Sequence, residues 1–169
     1  MRYRHPVPRL WLMTDERMGA GLWRAVRRLP RGSGIVFRHY ATPARERRRL
    51  FAALLRISRR RGLVLVRAGD TRLAGEMGTH KRRGGGIVTW PAHSREQAVR
   101  AMRVGADAVF ISPVFPTRSH PGAPALGARR ASAIARGLPA TRIALGGMDA
   151  RSYARLAGFD GWAGIDGWL

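Results

Sequence analysis

Residues 105–127 have the sequence GADAVFISPVFPTRSHPGAPALG, and this stretch decides how the rest of the chain is interpreted. It predicts a buried strand, from the apolar run ending at Ile111, and then a long loop rich in glycine and proline. Loops at the C-terminal ends of parallel strands are where α/β proteins usually place ligands. The loop carries four side chains that could hold an anion: Thr117, Arg118, Ser119 and His120.

Short apolar segments on both sides of this stretch alternate with amphipathic ones. Besides the strand above, strands are predicted at 10–13, 35–37, 63–66, 78–80, 87–90, 143–145 and 162–165. Helices are predicted at 22–29, 43–61, 94–104, 128–136 and 149–156, with Thr42 capping the second and a Ser94–Gln97 capping box opening the third. Short, uniformly apolar strands in this order are typical of a parallel sheet covered on both faces. The order predicts an α/β fold, a compact parallel (β/α)8 TIM barrel.

The chain is short for such a barrel, which typically needs about 200 residues or more. The missing length falls within 68–86, where 71–77 can make only one or two turns of helix and 81–86 form a flexible basic loop. We therefore expect a barrel shortened around strands 3–5. No linker divides the sequence, so residues 1–169 are predicted to form a single domain.

The composition excludes several classes of protein. No cysteine is present, which rules out disulfides and thiolate metal sites. No uncharged apolar run is long enough to span a membrane, and Arg9 interrupts the apolar residues that could form a signal-peptide core. We expect a cytoplasmic protein without a membrane partner.

The formal net charge of +22 is far from the usual balance, and Lys81 is the only lysine. Arginine-rich surfaces bind phosphate and nucleic acid, because the guanidinium group matches phosphate oxygens. Compositional bias, with arginine filling solvated faces, is the other interpretation. No nucleic-acid-binding motif accompanies the charge, so compositional bias is favoured and only non-specific nucleic-acid affinity is expected.

Three motifs carry a resemblance to a known family: Gly-Ala-Asp at 105–107, Pro-Val-Phe-Pro-Thr at 113–117, and Ala-Leu-Gly-Gly-Met at 144–148. With them the chain resembles the thiamine phosphate synthases and their sister branch, the thiazole tautomerases. The resemblance implies a transferase that joins an aminopyrimidine methyl pyrophosphate to a hydroxyethylthiazole phosphate and releases pyrophosphate. Small phosphorylated pyrimidine and thiazole molecules would be its partners, and a homo-oligomer is expected because the family often forms one.

The resemblance also implies site residues. Arg38 follows the second strand, at the family's pyrophosphate clamp, and His120 stands where the family has a lysine. His93 occupies the neighbourhood in which the tautomerases use a histidine for proton transfer, although a structural role at the start of a helix is the alternative. The implied substrate-binding residues are the hydroxyl pair Thr117 and Ser119 and the phosphate loop Gly146 and Gly147.

A metal site is implied by the family but poorly supplied here. The family uses Mg²⁺ held by carboxylates after strands three and four, and Mg²⁺ requires several oxygen ligands. Asp70 is the one remaining candidate ligand, and it could equally be a turn residue. Four basic residues, Arg67, Lys81, Arg82 and Arg83, could replace the metal as counter-charges for pyrophosphate, or they could belong to a solvated basic loop. At the last strand, Asp166 stands where the family has a phosphate-contacting serine.

Three functions remain open. A thiamine phosphate synthase-like transferase is the leading one, and a thiazole tautomerase-like enzyme is the second. The third is a barrel that has lost its chemistry and binds a phosphorylated ligand or nucleic acid.

Overall fold

The structure is a computed structural model that describes residues 6–118 and 121–169. Eight parallel strands close into a barrel in chain order, with the last strand bonded to the first. The strands are β1 (Leu10–Met13), β2 (Gly34–Phe37), β3 (Val64–Ala68), β4 (Gly78–His80), β5 (Ile87–Ala92), β6 (Ala108–Ile111), β7 (Thr141–Leu145) and β8 (Gly161–Gly164). The predicted (β/α)8 barrel is confirmed. Ser119 and His120 lie outside the described residues.

Alternating residues of each strand face the barrel interior and the surrounding layer. In β3, Val64, Val66 and Ala68 belong to the interior cluster, whereas Leu65 packs in the layer between the barrel and the helices. Trp11 and Phe110 fill the interior with an edge-to-face contact, their ring centroids 5.4 Å apart. Most strands are therefore apolar on both faces, which explains the unbroken hydrophobic runs of the sequence. The strand β4, with Thr79 and His80, is buried but polar.

Five helices follow the strands: α1 (Gly21–Arg28), α2 (Ala44–Arg61), α3 (Arg95–Arg103), α4 (Gly127–Ala135) and α5 (Ala150–Tyr153). None of the helices in the described residues is long and apolar enough to cross a membrane. Short 3-10 helices occupy Glu16–Met18 and Asp166–Trp168. The last helix is shorter than the predicted 149–156, although Asp149 does cap it.

Two capping predictions need correction. Thr42 does not cap α2, because Pro43 is the N-cap residue and the Thr42 hydroxyl contacts Glu16 instead. Ser94 does cap α3 and accepts from the Gln97 N–H at 3.2 Å. The Gln97 side chain, however, accepts from the His93 N–H rather than from that of Ser94, so only half of the predicted capping box forms.

The barrel is shortened where the sequence predicted. Within the described residues no helix follows β3 or β4, and the single helical turn or two expected at 71–77 are absent. The three residues Gly78–His80 nevertheless form a strand, paired with β3 on one side and β5 on the other. Loops therefore take the place of the helices that would follow β3 and β4, while α2 still packs against β3.

Candidate functional site

Five of the predicted site residues line one cavity at the C-terminal ends of the strands. The cavity has a volume of about 680 Å³, a size typical of small-molecule sites. It is bounded by the loops after β2, β5, β6, β7 and β8, which is the end of a (β/α)8 barrel where active sites occur. The five residues are Arg38, His93, Thr117, Gly146 and Gly147.

Arg38 is held at the cavity by the loop after β1. Its Nε donates to the Thr14 carbonyl oxygen at 2.8 Å, and its Nη2 lies 3.2 Å from Asp15 Oδ2. Its backbone N–H donates to the Thr14 hydroxyl at 3.1 Å. Burial lowers the pKa of Arg38, and the Asp15 carboxylate opposes that shift. The guanidinium group stays charged, because arginine is not deprotonated in proteins.

The loops after β6 and β7 are bonded to each other. Val114 N–H donates to the Leu145 carbonyl at 2.9 Å, and Phe115 N–H donates to that of Gly146 at 3.1 Å. Gly147 has φ +62°, and a Cβ there would lie 2.7 Å from the Pro116 carbonyl oxygen. Gly146 has φ +100°, and its Cβ would lie 2.8 Å from the Pro113 Cα. Glycine is therefore required at both positions for the two loops to meet.

The same glycines bring backbone donors to the cavity. Within the described residues, the loop hydrogen bonds include none donated by the N–H of Gly146 or Gly147. Unpaired N–H groups beside a strand end, with no side chain to screen them, can approach an anion closely. Loop packing and anion binding thus place the same demand on these two positions.

His93 has a defined tautomer at the edge of the cavity. Its Nδ1 lies 2.7 Å from the Ser112 carbonyl oxygen. A carbonyl oxygen only accepts, so Nδ1 carries the proton and Nε2 of the neutral ring is free to accept one. The side chain therefore has the arrangement of a general base.

Two carboxylates share the cavity with these groups. Asp149 caps α5, and hydrogen bonds from the backbone and side chain of Ser152 lower the pKa of its carboxyl group. Asp166 lies 3.7 Å from Arg118 Nε. Arg142, which could have offset the Asp166 charge, is instead paired with Asp160 at 2.8 Å. Arg118 therefore provides the ion pair at the last strand, and Arg17 also interacts electrostatically with Asp166.

Comparisons with known proteins show the family of this chain. Residues 79–167, more than half of the chain, match the family model of thiamine monophosphate synthase. The chain belongs to the thiamine monophosphate synthase family. The match spans the loops after β4 to β8 and thus includes His93, Thr117, Gly146 and Gly147, whereas Arg38 precedes it.

Three similar proteins illustrate the relationship. Over 62 residues, 37% of this chain, the sequence is 39% identical to "Putative thiamine-phosphate synthase 2" of Aquifex aeolicus (strain VF5). That match spans only 33% of the relative. The structure resembles thiamine phosphate pyrophosphorylase of Pyrococcus furiosus, with a TM-score of 0.78 and 20% identity over 94% of this chain and 85% of the other. A native KDPGal structure shares the fold with a TM-score of 0.63 and 17% identity, over 98% of this chain and 85% of the other.

Three residues that the sequence predicted for the site of this thiamine monophosphate synthase family member do not reach the cavity. Arg67 lies on the outer face of β3, is 3% exposed, and pairs through Nε with Glu76 Oε2 at 2.6 Å. Arg82 and Asp70 are exposed and pair with each other at 2.6 Å. None of these three residues lines the cavity. The positions of Arg67 and Arg82 therefore do not support a role as counter-charges for pyrophosphate.

The residues present do not fit the Mg²⁺ ion that the synthase family implies. Mg²⁺ needs several oxygen ligands in a near-octahedral set. Asp70 has an arginine as its partner, and the described part of the chain contains no group of three or more His, Asp or Glu side chains that could hold a metal.

Sequence reasoning did not assign a role to several groups around the site. Thr14 and Asp15 position Arg38. The sequence feature that could have indicated this role is their position directly after β1. His80, at the C-terminal end of β4, points into the barrel beside Phe110 and contacts the Thr89 hydroxyl at 2.8 Å. Burial lowers the pKa of His80 to about 3, so this ring is neutral.

Proposed function

We propose that this protein is a thiamine phosphate synthase-like transferase, which joins an aminopyrimidine methyl pyrophosphate to a hydroxyethylthiazole phosphate. The observation that carries the proposal is the convergence of Arg38, Thr117 and the pair Gly146–Gly147 on one cavity. These residues come from three different loops that are far apart in the sequence. Family membership supports the same substrate class.

The chemistry needs positioning and charge neutralisation. The bond between the pyrimidine methylene carbon and the pyrophosphate oxygen breaks, and its electron pair leaves with pyrophosphate. The thiazole nitrogen then donates its lone pair to the methylene cation and forms the new C–N bond. Both the leaving group and the phosphate of the thiazole are anions, so fixed donors that face them lower the barrier.

The described residues supply such donors at two places. Arg38 is fixed by Thr14 and Asp15 and would neutralise the leaving pyrophosphate, with the Thr117 hydroxyl as a further donor. The N–H groups of Gly146 and Gly147 would bind the thiazole phosphate. Arg118 offsets the Asp166 carboxylate at that end, which lowers the repulsion between Asp166 and a phosphate.

A thiazole tautomerase-like activity is the second candidate, and the geometry of His93 favours it. With Nδ1 committed to the Ser112 carbonyl, Nε2 would remove a proton from a ring carbon of a thiazole phosphate and return it at another position. This isomerisation requires no pyrophosphate clamp.

Product analysis separates the candidates. The purified protein is incubated with both synthase substrates, with and without added Mg²⁺, and thiamine phosphate and pyrophosphate are measured by chromatography. Formation of both products is expected. Isomerisation of a thiazole phosphate without thiamine phosphate would favour the tautomerase, and saturable thiazole phosphate binding without any turnover would overturn both.

Variants identify the groups responsible. Arg38→Met should lower the rate of transfer about 100- to 1,000-fold, whereas Arg45→Met, which replaces an exposed arginine of α2, should leave it unchanged. His93→Asn retains a donor toward Ser112 but has no basic nitrogen. It should abolish tautomerisation and affect transfer far less.

A further inference from the structure

A second cleft lies at the opposite, N-terminal end of the barrel. It is formed by the turns that precede β2, β3, β4 and β5 together with the last turns of α2, and its volume is about 810 Å³. The cleft lies on the side of the barrel where no helix follows β3 or β4 in the described residues. It shares no lining residue with the cavity described above.

The walls of this cleft are apolar. Leu63, Val64, Met77 and Ile87 line it, and all four pack in the hydrophobic core or against it. Four turn glycines also line the cleft, so little side-chain volume fills it: Gly32, Gly62, Gly75 and Gly86. The interior of the cleft therefore suits an apolar molecule.

One buried polar group in the lining lacks a partner. Ser58 of α2 is 0% exposed, and its Oγ has no hydrogen-bond partner in the part of the chain that the structure describes. Buried hydroxyl groups are nearly always hydrogen-bonded, because an unsatisfied one loses its hydration without compensation. Since Ser58 lines the cleft, a bound molecule with a polar atom could supply the missing bond.

The charges around the cleft select the sign of that molecule. Arg31 and Arg59 are exposed lining residues. Their guanidinium groups lie close to the turn glycines: a Cβ on Gly62 would lie 3.0 Å from the Arg31 guanidinium carbon, and a Cβ on Gly75 would lie 3.2 Å from Arg59 Nη2. Glu76 is the one acidic residue in the lining. Its carboxylate is paired with Arg67 and accepts from the Leu73 N–H at 3.0 Å. Among the described residues, Arg31 and Arg59 have no ion-pair partner, so the unpaired charges of the lining are positive.

We propose that this cleft is a second binding site, independent of the transferase function, for a small organic anion with an apolar body. A carboxylate accepts a hydrogen bond from Ser58 Oγ and faces the guanidinium groups of Arg31 and Arg59. The apolar part packs against Leu63, Met77 and Ile87.

Octanoate is the probe for this site, and glycine amides are the reporters. Protein labelled with ¹⁵N-glycine is titrated with octanoate and followed by NMR. Saturable shifts are expected at Gly32, Gly62, Gly75 and Gly86, with none at Gly146 or Gly147. Octan-1-ol lacks the charge and inorganic phosphate lacks the apolar body, so each should bind at least about tenfold more weakly.

Several outcomes of this titration would overturn the proposal. They are the absence of shifts at the four cleft glycines, shifts centred on Gly146 and Gly147, and equal binding of octan-1-ol. Shifts that follow protein concentration rather than octanoate would show instead that a second copy of the chain covers the cleft.

Variants test the contacts one by one. Ser58→Ala should weaken octanoate binding about fivefold and leave the urea midpoint of the free protein no lower than that of the parent, because it removes an unsatisfied hydroxyl. Arg59→Gln should weaken binding about fivefold, whereas Arg60→Gln, an exposed neighbour outside the lining, should not. Equal effects of Arg59→Gln and Arg60→Gln would mean that general attraction to a basic protein explains the binding, and the site would be rejected.

Discussion

The rim at the C-terminal end of the barrel has two sides of opposite character. On the side of β6, β7 and β2, backbone contacts fix the loops, and Arg38, Thr117 and the glycine pair face a shared cavity. On the side of β3 and β4, the charged residues are bonded to one another, Arg82 to Asp70 at the rim and Arg67 to Glu76 on the outer face of the barrel. Arg38 also pairs with a carboxylate, that of Asp15, so the two sides differ in whether the guanidinium group faces the cavity and not in whether it is paired.

The largest difference in activity is expected between variants that replace one arginine on each side of the rim. Arg38→Met removes a fixed charge from the cavity and should lower kcat/KM for thiamine phosphate formation about 100- to 1,000-fold. Arg82→Met, on the other side of the rim, should lower it less than about twofold, since exposed ion pairs contribute little. A comparable loss in both variants would show that the β3–β4 side takes part in the reaction.

The buried ion pair on the β3–β4 side should be structural. Arg67→Met leaves the Glu76 carboxylate, which is 14% exposed, without its partner and should lower the free energy of unfolding by about 3 kcal/mol. Urea denaturation measures this loss. Adding Glu76→Leu should restore most of it, and a double variant as unstable as the single one would contradict the explanation.

The glycine pair should be sensitive because of packing as well as backbone conformation. Gly147→Ala combines a positive φ with a contact too close to the Pro116 carbonyl, and should destabilise the protein by about 2–3 kcal/mol. Gly137 also has a positive φ, +67°, but open space around it. Gly137→Ala is thus the matched control, with an expected loss of about 1 kcal/mol in the same urea experiment. Equal losses would remove the packing argument.

The pH dependence of stability should also report on the β3–β4 side. Burial raises the pKa of Glu76, but hydrogen bonds from Arg67 and the Leu73 N–H outweigh it and hold that pKa below its ordinary value of 4.5. A lowered pKa stabilises the fold above the ordinary value, and this contribution is lost as the pH falls through the folded-state value. Urea midpoints of the parent should therefore fall more steeply below about pH 4.5 than those of Glu76→Gln. Parallel curves would show that Glu76 does not contribute.

The smallest effect is expected from the exposed pair. Arg82→Gln breaks the contact with Asp70, whose side chain is 97% exposed, and should change the free energy of unfolding by less than about 0.5 kcal/mol. A larger loss in urea denaturation would indicate that the loop after β4 has a structural role.

Apolar runs and turn residues were sufficient to predict seven of the eight strands, because these strands are largely buried on both faces; β4, Gly-Thr-His, has no apolar run. Helix ends were harder, since Thr42 looks like a cap but an extended turn gives that position to Pro43. The sequence also does not reveal every buried charged residue of the helices. Arg47 of α2 is buried and donates to the Ala68 carbonyl at 2.7 Å, a contact that sequence spacing does not reveal.

The site was predictable where backbone geometry dictates the residue type. The Gly146–Gly147 motif and Arg38 both follow strands, and the cavity contains them. Arg67 also stands near a strand end, but it is one residue out of phase with Val66 and Ala68 and so lies on the outer face. The sequence also does not show which charged residues form ion pairs, as the pairing of Arg142 with Asp160 illustrates.

Nucleic-acid affinity and oligomer formation stay predictions.

The three-residue strand β4 has a consequence for how the barrel moves. Two residue pairs join it to β3, at Arg67–Thr79 and Ala68–His80, and no helix of the described residues follows either strand. Segments with few buried contacts open locally at a low free-energy cost. The amide protons of β4 should then exchange with solvent before those of β6 and β7, making this strand the place where the closed ring of eight first opens.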